Sequence, residues 1–139
     1  VSLKGNLFAS IFFRINLKKI KINNFLNINT NLIRNILRVY SKKKISIKPP
    51  NDLLIKGKKI CGILQEVIEH EKKKYLIVGI GINTKKKPQD RQFESTSLIE
   101  HSHKTINNNI ILKKIKTNYE KMILEINNQN FKYIKKRYI

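Results

Sequence analysis

With 139 residues the chain has room for one domain with a single core and too little for two. Thirty Lys and Arg against nine Asp and Glu give a formal charge of +21 and a pI near 10.2, a balance often read as nucleic-acid binding. The lysines, however, are spread along the chain without interleaved aromatics, and the excess of Lys, Asn and Ile, with Ala9 the single alanine and no Trp, is the bias of an AT-rich genome, so most of the charge reads as solvated surface, able to help recruit an acidic protein partner rather than nucleic acid.

No apolar run approaches the roughly 20 residues that span a bilayer, and Val1 to Gly5 lack the basic and apolar regions of a signal peptide. Cys61 is the single cysteine, which rules out an internal disulfide or a cysteine metal cluster and fits a reducing cytoplasm.

In chain order, residues 6–15 alternate Leu7, Ala9, Ile11 and Phe13 on one face, which predicts a strand whose second face is largely buried as well. A loop or hairpin rich in Asn and Lys follows. Residues 29–42 place Leu32, Ile33, Ile36, Leu37 and Tyr40 at helical spacing, with Asn29, Thr30 or Asn31 as the cap. A short strand over 45–48 stops at Pro49-Pro50, and residues 53–55, 60–68 and 75–83 predict three more strands, with turns at 56–59 and 70–74. Residues 84–95 have no periodicity and read as a polar loop. Ile110, Ile111, Ile115, Tyr119, Met122, Ile123 and Ile126 mark a long helix capped near 107–109, and residues 131–138 a last helical piece. This order predicts an α+β fold, a mixed and mainly antiparallel sheet covered by helices on one side.

The chemistry lies in the turns. Pro49-Pro50 predicts extended backbone that presents Asn51 and Asp52 at a strand start. A carboxylate beside an amide suits a divalent metal or the orientation of a nucleophile, although a bare Pro-Asn-Asp more often closes an Asx-turn. Lys59 precedes a strand whose Gly62 admits close approach of a ligand, while a Lys-Lys turn alone is more often solvated hairpin charge. Gly79-Ile80-Gly81-Ile82-Asn83 strips side chains from one strand face and ends on a donor and acceptor; alone, it marks a bulge as readily as a site. His101 and His103 form an H-x-H without a third ligand, which reads as polar loop. Cys61 reads as a small buried filler.

Order and spacing lift these motifs together. Lys48-Pro49-Pro50-Asn51-Asp52-Leu53, then Gly57 to Glu66 (GKKICGILQE), then Gly79 to Asn83 (GIGIN) resemble the K-W-P-N-D-L, G-K-K-L-x-G-I-L-x-E and G-x-G-I-N of biotin protein ligases. Ser2 to Ser10 is similar to that family's S-x-x-G-N-L-Y-x-S, and Thr96-Ser97-Leu98 to its T-S-L. The resemblance runs over nearly the whole chain and implies the class II synthetase-like catalytic domain of biotin and lipoate ligases; the motif set points to biotin rather than lipoate.

It implies a two-step reaction in which biotin and ATP, with Mg²⁺, give biotinyl-5′-AMP, and a lysine of a biotin carboxyl carrier protein then displaces AMP. Lys59 would neutralise the biotin carboxylate and the α-phosphate. Gly62, Leu64 and Gly79 would line the biotin slot with Lys59. Lys48, Asn51 and Asp52 would face the nucleotide phosphates, the metal or the incoming lysine, with Asp52 also able to orient or deprotonate the acceptor amine, and Asn83 would contact the ATP side. Glu66 reads as structural. Pro49 stands where the family has tryptophan, Phe8 where it has tyrosine, and Cys61 where it has a small residue such as alanine. The family's G-R-G-R-x-G-R loop precedes the motif with which this chain begins, and its small C-terminal β-barrel follows the region where this chain stops. The resemblance thus implies the central part of a ligase with low or no activity of its own; the alternatives are a non-catalytic, carrier-binding remnant and, more distantly, a basic nucleic-acid binder.

Overall fold

The computed structural model describes residues 4–89 and 92–139. Val1, then Ser2 and Leu3 of the Ser2–Ser10 motif, and two residues of the polar loop lie outside the described residues. Five strands form one sheet: β1 (Leu7–Ile15), β2 (Ile45–Lys48), β3 (Asp52–Ile55), β4 (Lys58–His70) and β5 (Lys73–Ile82), in the order β1-β5-β4-β3-β2. Every ladder is antiparallel, and the one parallel pairing among the described residues is an isolated bridge between Lys59 and Ser95. Strands β2 to β5 are the expected meander. β1 joins its far end, so the chain must cross from one edge of the sheet to the other, and it does so through helix α1 (Ile22–Leu37).

Alternation decides which face is covered. Side by side across the strands, Leu7, Ile82, Cys61 and Leu53 form one buried row, and Ile80 and Ile63 lie in the next. Helix α1 lies on this face against β2, β3 and β4, and α2 (Asn108–Asn128) packs beside it against β1. α2 contributes Ile111, Ile115, Tyr119 and Met122 to the core at i, i+4 and i+3 spacing, and α3 (Phe131–Tyr138) adds Ile134. Asn107 caps α2 as expected, its side chain accepting from the backbone N–H groups of Asn109 and Ile110.

Three expectations change. The second face of β1 is not buried: Phe8 is 49% and Phe12 59% exposed, because no helix among the described residues covers that side. α1 begins seven residues before Asn29 and ends at Leu37, so Asn29, Thr30 and Asn31 lie within the helix instead of capping it. Asn29 is buried because it is satisfied there: its Nδ2 donates to Gln65 Oε1 at 2.9 Å and its Oδ1 accepts from Tyr119 OH at 2.9 Å. Thr30 Oγ1 bonds back to the carbonyls of Leu26 and Asn27. Finally, residues 49–51 turn the chain rather than extend it, since Lys48 pairs directly with Asp52; the Pro49–Pro50 bond is cis. The next two reversals, Lys56-Gly57 and Glu71-Lys72, each carry positive φ at both residues, the tight hairpin pattern in which Gly57 fits without a steric penalty.

Candidate active site

The uncovered face of the sheet holds a cleft of about 590 Å³. Its floor follows from the strand register. Phe8, Gly81, Gly62 and Asp52 lie abreast on β1, β5, β4 and β3, and Ser10, Gly79 and Leu64 form the next row. The glycines leave three different spaces. A Cβ on Gly81 would meet the Phe8 ring at 3.1 Å, so that aromatic occupies the space over the strand. A Cβ on Gly62 would meet both Cε and Nζ of Lys59 at 3.2 Å, so the space Gly62 frees is taken by the lysine itself. Over Gly79 nothing lies closer than a backbone oxygen at 4.0 Å, and this part of the floor is open.

Lys59 reaches the cleft through an irregularity in β4. Asp52 pairs with Gly62 and Leu53 with Cys61, but Leu54 pairs with Lys59, leaving Ile60 as an extra residue. In a regular strand, residues three apart point to opposite faces; this bulge shifts the phase so that Lys59 and Gly62 share the open face while Ile60 and Cys61 are both buried. The carbonyls it displaces are satisfied. Ile60 O accepts from Asn83 N at 2.7 Å, and Lys59 O accepts from Thr96 N at 2.9 Å and Asn83 Nδ2 at 3.3 Å. Asn83 Nδ2 also reaches Thr96 O at 3.2 Å, so the amide at the end of the Gly-x-Gly-x-Asn motif pins the bulge that aims the lysine.

At its tip, Lys59 Nζ sits 2.9 Å from Asp52 Oδ1, both side chains about a quarter exposed (26% and 22%), and 4.8 Å from the centre of the Phe93 ring. Asn51 lines the same cleft and its carbonyl accepts from Ile63 N, tying the turn after β2 to β4. Leu64 projects at the cleft, 72% exposed. Seven of the residues singled out from sequence, Asn51, Asp52, Lys59, Gly62, Leu64, Gly79 and Asn83, therefore line one cavity. Lys48 does not; it is exposed on β2, across the ladder from Asp52. Glu66 is exposed two positions along β4 from Leu64.

Sequence reasoning missed Phe93 and Ser95, which line the cleft from the polar loop, and it missed the bulge. A signal for the bulge was present: Ile60 and Cys61 are adjacent apolar residues where strict alternation allows one. Cys61 lies beneath the cleft floor, 1% exposed, and burial pushes its thiol well above the ordinary range, with Lys59 opposing and Asp52 adding to the shift, so it is a core residue and not a nucleophile. His101 contacts Thr96 Oγ1 through Nε2 at 2.9 Å, whereas His103 is exposed. The first motif closes the loop beside the cleft, because Asn6 Oδ1 accepts from Lys85 N and Lys86 N and Asn6 Nδ2 donates to Lys86 O.

The fold and the sequence have known relatives. The bifunctional ligase/repressor BirA of Bacillus subtilis is 36% identical over 94 residues, which are 64% of this chain and 29% of that protein. The biotin–[acetyl-CoA-carboxylase] ligase of Mycobacterium tuberculosis is 30% identical over 84 residues, 60% of this chain and 30% of that one. The chain thus spans under a third of the length of these curated relatives. Among solved structures, biotin protein ligase from Aquifex aeolicus in complex with biotin and ATP matches with a TM-score of 0.69 at 24% identity, over 94% of this chain and 56% of that chain. The Leishmania major biotin protein ligase in complex with biotinyl-5-AMP matches with 0.71 at 21%, over 96% and 60%. At these identities the structural likeness establishes the α+β fold. Residues 1–83, more than half of the chain, match the biotin/lipoate A/B protein ligase family, and the chain belongs to that family.

Proposed function

We propose that the cleft binds biotin and ATP and forms biotinyl-5′-AMP, as the part of a biotin protein ligase that holds the reacting groups. The observation that carries this reading is the placement of Lys59, turned onto the open face by the bulge and held over Gly62 by Asp52. In the first step a carboxylate oxygen of biotin attacks the α-phosphorus of ATP, the bond to the β-phosphate breaks and pyrophosphate leaves. Two anions must meet, and a fixed ammonium lowers the cost of that encounter in a partly desolvated cleft. In the second step the amine of a carrier-protein lysine attacks the acyl carbon, the bond to the phosphate oxygen breaks, AMP leaves and the amine loses a proton. The acceptor is a biotin carboxyl carrier protein.

The open floor at Gly79 and the exposed Leu64 side chain suit the apolar body of biotin. Asn51 and Asp52 face the nucleotide side, with Lys48 at its outer margin, and Asn83 acts through the backbone of Lys59. Asp52 is the one carboxylate among the described cleft-lining residues, and no group of three His, Cys, Asp or Glu among the described residues is placed to hold a metal. With a single carboxylate in the cleft, a Mg²⁺ would enter with the ATP phosphates, and Asp52 would be the side chain available to hold it. When bound, Mg²⁺ would supply charge neutralisation at the phosphates, while Asp52 holds Lys59 in place to face the reacting carboxylate.

Calorimetric titration of the chain with biotinyl-5′-AMP tests this reading. Saturable one-site binding is expected, weakened about 10- to 100-fold by Lys59→Met, the range for losing a charge-assisted hydrogen bond. Absence of saturable binding to the unsubstituted chain would overturn it. Biotin-dependent exchange of labelled pyrophosphate into ATP then separates a chain that performs the chemistry from one that binds the intermediate and a carrier domain without turnover.

A further inference from the structure

We infer that Phe93 is a positioning residue for Lys59, a π-face that holds the ammonium over the cleft floor without neutralising it. This rests on the reading of Lys59 as the cation of the site. Lysine is a compact charge on a flexible four-carbon stem, so a bulge that aims its Cα does not by itself fix its Nζ. Three contacts do. Asp52 Oδ1 lies 2.9 Å away on one side, Gly62 lies beneath with no side chain, and the Phe93 ring lies 4.8 Å away, within the range in which a ring quadrupole attracts a cation. The contacts differ in kind. A second carboxylate would cancel the charge that an anionic ligand needs; an aromatic face orients the ammonium and leaves its charge in place.

The ring is delivered by the backbone of the segment that carries it. Lys59 N donates to Glu94 O at 2.9 Å and Thr96 N donates to Lys59 O at 2.9 Å, so the loop residues run parallel to Lys59 and are registered to it. Phe93, two residues before the bridge residue Ser95, is 38% exposed and lines both the main cleft and a neighbouring groove with Lys58 and Lys87. An aromatic residue left that exposed does little for the core. Its ordered contact with Lys59 is what it contributes.

The test uses the full chain labelled with ¹³C at lysine. The ε-methylene of Lys59, assigned by its loss in K59R, is expected upfield of the other lysines because it is bonded to the Nζ that lies over the ring. F93L, which keeps apolar bulk without a π-face, should move it to the ordinary lysine position, and F93W should keep it upfield. Affinity for biotinyl-5′-AMP should fall about 3- to 10-fold in F93L and stay within about 2-fold in F93W. An unshifted Lys59 signal in the unsubstituted chain, or one that F93L leaves in place, overturns the inference. So does equal affinity of F93L and the unsubstituted chain. If biotinyl-5′-AMP does not bind at all, the functional reading fails while the spectra still decide whether Phe93 positions Lys59.

Discussion

Ile63 and Leu64 are neighbours on β4, yet one is fully buried beneath α1 and the other is 72% exposed at the cleft. The same contrast runs across the sheet. The covered face is filled by Leu7, Ile82, Cys61 and Leu53 in one row, whereas the open face in the adjacent row carries Phe8, Gly81, Gly62 and Asp52. Strand alternation thus separates what holds the fold from what a ligand would touch, and the bulge at Ile60 is the point at which a residue is transferred between the two sets. Substitutions on the two faces should therefore report on different properties.

The largest effect is expected from breaking the covered face. Ile63→Ala removes a fully buried side chain and leaves a cavity that the packed helices cannot close, which should cost about 2–5 kcal/mol in a urea titration. Leu64→Ala, one residue along, should change stability by less than about 0.5 kcal/mol while weakening binding of biotinyl-5′-AMP. Equal losses of stability for the two would show that the open face is not open in solution.

A smaller effect should come from the polar link across the covered face. Asn29 accepts from Tyr119 OH and donates to Gln65, whose Nε2 donates to Ile22 O at 3.2 Å, so α2, α1 and β4 meet in one chain of hydrogen bonds. Burial drives the Tyr119 phenol well above its usual range, which keeps it a donor throughout the neutral range. Asn29→Leu should cost about 1–3 kcal/mol by leaving that hydroxyl buried and unpaired. Pairing it with Tyr119→Phe should return part of the loss, because the orphaned donor is gone. Strictly additive losses in the double-mutant cycle would break the proposed link.

The sequence made much of this arrangement legible and hid the rest for physical reasons. The strands β3 to β5 and helices α2 and α3 stand where alternation and 3–4 spacing put them, and Asn107 capped α2 as its residue type suggests. The start of α1 was hidden because residues 22–31 hold five asparagines and a threonine, residues that favour caps and turns. Lys21 at its N-cap also makes no side-chain capping bond. Burial of Phe25, Ile28, Leu32 and Ile36 on the sheet overrides that local preference. In the site, the motifs located Lys59, Asp52 and the glycines, but chain order cannot reveal that Gly62 makes room for Lys59 or that Asn83 fastens the bulge. Phe93 was invisible because its partner is 34 positions away and its segment has no periodicity.

The smallest expected effect concerns the helical side alone and sharpens the contrast between the faces. Tyr138 OH on α3 donates to Glu125 Oε2 on α2 at 2.5 Å, and Arg137 Nε lies 2.9 Å from the same oxygen. Burial first, then the bond to Glu125, raises the Tyr138 phenol from 10.0 to about 12. The folded state therefore favours the protonated phenol. Its contribution is complete below the unfolded value near pH 10 and is lost as pH rises through about 12. Because the phenol is only partly buried and water screens it, the effect should stay under about 1 kcal/mol. Between pH 9 and pH 12 the melting temperature of Tyr138→Phe should fall less steeply than that of the unsubstituted chain, while titration of the cleft with biotinyl-5′-AMP at pH 8 should be unchanged. Parallel melting curves would show that the phenol titrates alike in the folded and unfolded chain. A change in binding at pH 8 would show that the packing of α3 reaches the open face, and that the separation set by strand alternation is incomplete.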